Sequence, residues 1–147
     1  MIRKNLLDLN VLVALTDERH SHHKQARKWF ASSGKKSWGI CPLTEAGFLR
    51  VTTNPAFRSD PYSFQRAIAI LQSLKQTPGY WYCEIRETAS WTQVTAPFST
   101  RISGHQQVTD AYLLGLAIRE EAALVTFDRG LKFLAGSEFS QNLLVLE

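Results

Sequence analysis

At 147 residues, 44% of them hydrophobic and 20% charged, the chain has the size and composition of one globular domain able to bury its own core. The net charge is +4 and the pI about 9.3, a balance that suits a polyanionic partner such as RNA or DNA and that also occurs in ordinary soluble domains. Two cysteines, Cys41 and Cys83, without CxxC spacing argue against a disulfide framework or a zinc site, and no segment approaches the roughly 20 apolar residues of a membrane helix.

Lys4 to Leu9 reads as a buried first strand, and Asn10 as the N-cap of a short helix from Val11. The N-terminal stretch Met1–Asn5 has the charge of a leader peptide, but Asp8 and Asn10 interrupt the apolar run that follows it. We therefore expect a cytoplasmic chain with no leader and no membrane span. A second helix runs from about His22 to Ala31, ended by Ser32-Ser33-Gly34. Ser37 to Cys41 is a short strand. Pro42 opens a helix to about Thr52, and Asn54-Pro55 breaks it. Tyr62 to Gln76 is helical up to Thr77-Pro78-Gly79. Tyr80 to Cys83 is expected as a strand and Glu87 to Gln93 as a helix, with a loop from Phe98 to His105. Gln106 to Glu121 is a long helix, Ala123 to Phe127 a strand, Asp128 to Leu134 a short helix and Leu143 to Leu146 a last strand. Strands alternating with helices imply an α/β fold with a parallel sheet covered on both faces. Repeats, low-complexity segments and linkers are absent, so residues 1–147 are expected to form one domain.

Four acids sit where acids are costly. Asp8 ends the apolar run of the first strand, and Asp128 follows Ala123-Leu124-Val125-Thr126-Phe127. Glu45 shares a helix face with Phe48, Leu49 and Thr52, and Asp110 shares one with Leu113, Leu114 and Ala117. Lys and Arg fall mostly in polar stretches, which leaves these carboxylates without an evident internal base. Buried carboxylates without partners suggest a hard divalent cation held by oxygen ligands, and so a metal-dependent enzyme acting on phosphate chemistry. Each acid has a plainer reading. Asp128 could cap a helix, Asp8 could accept backbone N–H bonds, and Glu45 and Asp110 could complement helix dipoles from the first turn. Two strand ends and two helix starts together are harder to explain as capping. In a parallel sheet ligands bind outside the carboxyl ends of the strands, where Asp8 and Asp128 fall; Glu45 and Asp110, at the N-terminal ends of their helix stripes, could project from the sheet's edge into a shared cleft.

Asp8-x-Asn10, Thr44-Glu45-Ala46-Gly47-Phe48-Leu49-Arg50, Thr109-Asp110-Ala111-Tyr112-Leu113-Leu114 and Val125-Thr126-Phe127-Asp128-Arg129-Gly130-Leu131 resemble the PIN-domain ribonucleases. The resemblance is closest to the VapC-type toxins of bacterial toxin–antitoxin pairs, and the motifs occur in that family's order over nearly the whole chain. It implies a three-layer α/β/α sandwich around a mainly parallel sheet. It implies Mg²⁺ or Mn²⁺ in an acidic cleft, with Asp8, Glu45, Asp110 and Asp128 as the metal-site acids, Asn10 supporting Asp8 and Thr126 lying behind Asp128. The implied activity is endoribonucleolytic, with a metal-activated water attacking an RNA phosphodiester. The implied partners are RNA, a neutralising antitoxin and a second copy of the chain. Tyr62 to Gln76, with Phe64, Ile68 and Leu71 at helical spacing, could serve that pairing or plain core packing.

Three rival readings are weighed by their chemistry. A haloacid-dehalogenase-type phosphatase needs an acid two residues after the first aspartate, where this chain has Asn10. A non-catalytic PIN-like module binding RNA or protein would have no need of all four acids. A DNA or flap nuclease would want insertions that are absent. His20-Ser21-His22-His23 matches no usual zinc spacing; with Lys24, Arg27, Lys28, Lys35 and Lys36 it reads either as a phosphate-facing surface or as a solvated helix face.

Overall fold

The computed structural model describes residues 3–147; Met1 and Ile2, where the leader-like stretch begins, lie outside them. Strands β1 (Asn5–Leu7), β2 (Trp38–Gly39), β3 (Ala123–Thr126) and β4 (Leu143–Val145) form one sheet in the order β2-β1-β3-β4, every pair parallel. Helices α1 (Leu9–Thr16), α2 (His23–Ser32), α3 (Pro42–Thr52) and α4 (Phe64–Leu74) accompany one face. The short α5 (Trp91–Val94), α6 (Val108–Arg119) and the short α7 (Leu131–Ala135) accompany the other. No helix among the described residues is long and apolar enough to cross a membrane.

The alternation of a β-strand divides the core between these layers. Leu6 and Leu124, paired across β1 and β3, face the α6 side with Phe98, Leu113 and Leu131. Their neighbours Leu7 and Val125 face the α1–α4 side with Val11, Trp38 and Phe48. This is the α/β/α sandwich expected from the sequence. Ala111 to Ala117 of α6 are buried all round, as suits a helix sunk between layers. Gly115 is required there: a β-carbon would run into the Val94 carbonyl of α5.

Departures from the expected elements have local causes. Asn10 does not cap α1; Asp8 does, and the helix starts at Leu9. The strand expected over Ser37 to Cys41 contracts to Trp38–Gly39. With so short a partner, the strand expected over Tyr80 to Cys83 is reduced to a single bridge between Tyr80 and Trp38. The helix expected from Glu87 starts only at Trp91, where Ser90 accepts the Gln93 N–H as cap. The Phe64–Ile68–Leu71 stripe is split: Leu71 is buried and Phe64 remains 61% exposed. Ser63 caps α4, its hydroxyl accepting the Arg66 N–H at 3.1 Å. Replacing this exposed residue, Ser63→Ala, is expected to lower stability by about 1 kcal/mol with RNA cleavage unchanged. A thermal melt lying on the wild-type curve would show that the cap contributes nothing.

Candidate functional site

The carboxyl ends of β1 and β3 converge on one side-chain hydroxyl. Asp8 follows β1 directly, its N–H donating to the Val125 carbonyl at 2.9 Å, and is 7% exposed. Its Oδ1 accepts the Leu9 N–H at 2.7 Å, and its Oδ2 accepts the Thr126 hydroxyl at 2.7 Å. That hydroxyl also accepts the Asn10 side-chain amide at 3.2 Å and the Asp128 N–H at 3.0 Å. One donor and two acceptor positions are filled, the full capacity of a hydroxyl. Asn10 completes the loop, its Oδ1 accepting the Phe127 N–H at 3.2 Å. Asn10 therefore supports Asp8 through Thr126 and not by a direct bond.

Asp128 leaves the sheet one residue beyond Phe127. Its Oδ1 accepts the Gly130 N–H at 2.8 Å, an Asx turn that leads into α7. Asp110 is in the first turn of α6, half-buried, and its charge acts together with those of Asp8 and Asp128. Burial first, then Asp8, then Asp128, push the Asp110 carboxyl up to about 6. Burial also raises Asp8; the Thr126 and Leu9 hydrogen bonds oppose that rise, and Asp128 adds to it. None of these three aspartates has an ion pair among the described residues.

Glu45 stands apart. It lies in the first turn of α3, as expected, but its Oε2 accepts Lys75 Nζ at 3.0 Å, and both side chains are about a quarter exposed. The expectation that no internal base accompanies the acids is corrected here. Lys75, at the C-terminal end of α4, reaches across to the start of α3 because the two helices pack side by side. Burial works against the Lys75 charge, the Glu45 contact outweighs it, and its pKa is raised.

The donors suit a hard cation: carboxylate oxygens, three of them on aspartates that repel one another without a compensating base. Among the described residues no three His, Cys, Asp or Glu side chains are drawn together closely enough to hold an ion by themselves. That arrangement is compatible with Mg²⁺, which keeps several waters and takes only one or two protein carboxylates.

The histidine run is next to this site. His22 stacks on Phe127 with ring centroids 4.5 Å apart and planes 18° apart. His20 Nδ1 accepts the His22 N–H at 3.0 Å, and His23 Nδ1 contacts the Ala14 carbonyl at 2.7 Å. Neither this stack nor the Lys75–Glu45 pair was legible from spacing, since each joins residues from distant parts of the chain.

Residues 6–136 match the model of the PIN domain family. The chain is 42% identical over 130 residues to Ribonuclease VapC38 of Mycobacterium tuberculosis (strain ATCC 25618 / H37Rv), covering 88% of this chain and 89% of that one. It is 37% identical over 132 residues to Ribonuclease VapC44 of the CDC 1551 / Oshkosh strain, with the same coverage. Similar folds are found in VapBC2 from Rickettsia felis bound to a promoter DNA fragment (TM-score 0.56, 16% identity, 99% of this chain and 97% of that one). FitAcB from Neisseria gonorrhoeae is also similar (TM-score 0.56, 15% identity, 89% of this chain and 92% of that one).

Proposed function

The chain belongs to the PIN-domain family, and from that premise we propose that it is a metal-dependent endoribonuclease, the toxin of a toxin–antitoxin pair. The observation that carries the reading is the trio Asp8, Asp110 and Asp128, whose charges act on one another with no ion-paired cation. The relatives named ribonucleases support the activity, and the VapBC and FitAcB neighbours support an antitoxin partner. We take residues 1–147 as a single nuclease domain, pairing as a homodimer through surfaces that include the exposed Phe64 of α4. We place its action in the cytoplasm; Cys41 and Cys83, buried free thiols, suit a reducing compartment.

Asp8, Asp110 and Asp128 would hold Mg²⁺ or Mn²⁺, with Glu45 as the fourth acid of the site. The chemistry a divalent ion supplies when bound is a water activated toward the phosphodiester and relief of charge developing on phosphate oxygens. Thr126 and the Leu9 N–H orient the two oxygens of Asp8. Gly130 holds one oxygen of Asp128 and leaves the other free. Asp110, held by no hydrogen bond or ion pair among the described residues, must lose its proton before it can ligate. Lys75 holds Glu45 turned toward α4. An antitoxin arginine entering among the aspartates would supply the missing base and compete with the metal.

The test is cleavage of total cellular RNA by the purified protein with Mg²⁺ or Mn²⁺, against EDTA. Discrete fragments that vanish with EDTA are expected. Fragments that persist in EDTA would rule out metal dependence. A folded protein that cuts no RNA with either metal would favour the second reading, a non-catalytic RNA- or protein-binding module. The observation on that side is Glu45, whose carboxylate is already paired with Lys75.

A further inference from the structure

The His22–Phe127 stack has no place in the chemistry above. We propose that it is a nucleobase-stacking subsite, which seats a base flanking the scissile phosphate of single-stranded RNA; this rests on the ribonuclease reading. Phe127 lies between Thr126 and Asp128, and its backbone N–H is fixed by Asn10. The backbone that carries this ring is therefore fixed beside Asp128. His22 covers one face of that ring at 4.5 Å, nearly parallel, and is itself exposed. An exposed aromatic surface beside an RNA-cleaving centre offers a π-face that accepts any base.

The fold itself gains little from an imidazole here. His22 precedes α2 with φ −102° and ψ 14°, outside the extended geometry of a capping residue, and its side chain makes no cap bond. Among the described residues its ring has no hydrogen bond at all, whereas the ring of His23 reaches the Ala14 carbonyl. The exposed Lys24, Arg27 and Lys28 follow on α2, giving the positive charge that a phosphate backbone leading away from the stacked base would meet. The histidine run thereby has an occupant, and that occupant is a nucleobase, not zinc.

The experiment uses the full chain carrying Asp110→Asn, which prevents cutting, and a short labelled oligoribonucleotide spanning the principal site cut in total RNA. Affinities are measured by fluorescence anisotropy with the intact strand and with strands made abasic at each position in turn. One abasic position next to the cut is expected to weaken binding roughly tenfold or more, the range of base–aromatic stacking. In His22→Asn that position should lose its effect, while the thermal melt stays close to that of wild type, as for an exposed side chain whose ring makes no hydrogen bond among the described residues. His22→Phe should restore the sensitivity. If His22→Asn still senses the abasic position as strongly as His22, or if no position matters, the subsite is wrong while the ribonuclease reading stands. If the parent chain binds and cuts no RNA, the ribonuclease reading fails and the subsite with it.

Discussion

Asp110→Asn should abolish RNA cleavage and, in EDTA, make the protein more stable above pH 6. The first effect follows from the site. Of the three site aspartates only Asp110 has no side-chain hydrogen bond or ion pair among the described residues, so its carboxylate is the one most available to a cation. Losing that oxygen should lower the cleavage rate by about 100-fold or more. The second effect follows from the charge. A carboxyl raised from 3.8 to about 6 on folding binds its proton more tightly in the folded state than in the unfolded one. The ionised form then opposes folding. The penalty is absent below pH 3.8, grows as pH rises toward about 6, and is complete above it. Asparagine removes it, a gain of about 1–2 kcal/mol after discounting for solvent screening of a half-exposed group. Melts of wild type and Asp110→Asn in EDTA should diverge from about pH 4 to about pH 6 and stay apart above it. Bound metal should reverse their order, because it stabilises only the chain that keeps its ligand. Full cleavage by Asp110→Asn would remove Asp110 from the site. Superimposable melts at every pH would show that neither burial nor the neighbouring aspartates penalise the Asp110 charge.

The same residue shows what a single sequence can reveal. Asp110 on the inward face of a long helix is a local pattern, read from Leu113, Leu114 and Ala117, and the helix is found at Val108–Arg119. Pro42 and Asn54-Pro55 mark the limits of α3 just as locally, and α3 is found between them at Pro42–Thr52. Periodicity and punctuation act within a few residues, so they place acids on faces and at ends. They do not report which side chains meet across the chain. Lys75 lies 30 residues from Glu45, and nothing in its own neighbourhood marks it as a partner. Tyr80 to Cys83 has the apolar character of a strand, but strand pairing is decided by the neighbour, and β2 offers only two residues. Asn10 looked like a cap because asparagine caps well; Asp8, two residues earlier, took that position and released the Asn10 amide for the Thr126 network.

Thr126 reads from its own neighbourhood as an ordinary strand threonine, and only the family resemblance placed it behind Asp128. It is fully buried, and its hydroxyl ties Asp8, Asn10 and Asp128 together. Thr126→Val keeps the shape and removes all three bonds. Asp8 Oδ2 then loses its donor, while the Asp128 N–H and the Asn10 amide lose their acceptor. Leaving such groups unpaired should cost about 1–3 kcal/mol. At this chain length that lowers the melting temperature by roughly 2–4 °C per kcal/mol. The Asp8 carboxyl should rise further, because the largest influence opposing its rise is the Thr126 bond. A higher Asp8 pKa weakens metal binding most at acid pH, so the valine variant should require more Mn²⁺, increasingly so as pH falls. Its cleavage rate should drop roughly 10- to 100-fold, the effect typical of losing a group that orients a metal ligand. Thr126→Ser separates the two contributions. It keeps the hydroxyl and removes one buried methyl, so it should lose about 1 kcal/mol and retain activity and the wild-type Mn²⁺ requirement. A valine variant as active as wild type would show that the hydroxyl does not hold this end of the sheet together, and a serine variant as damaged as the valine one would show that the hydroxyl alone does not.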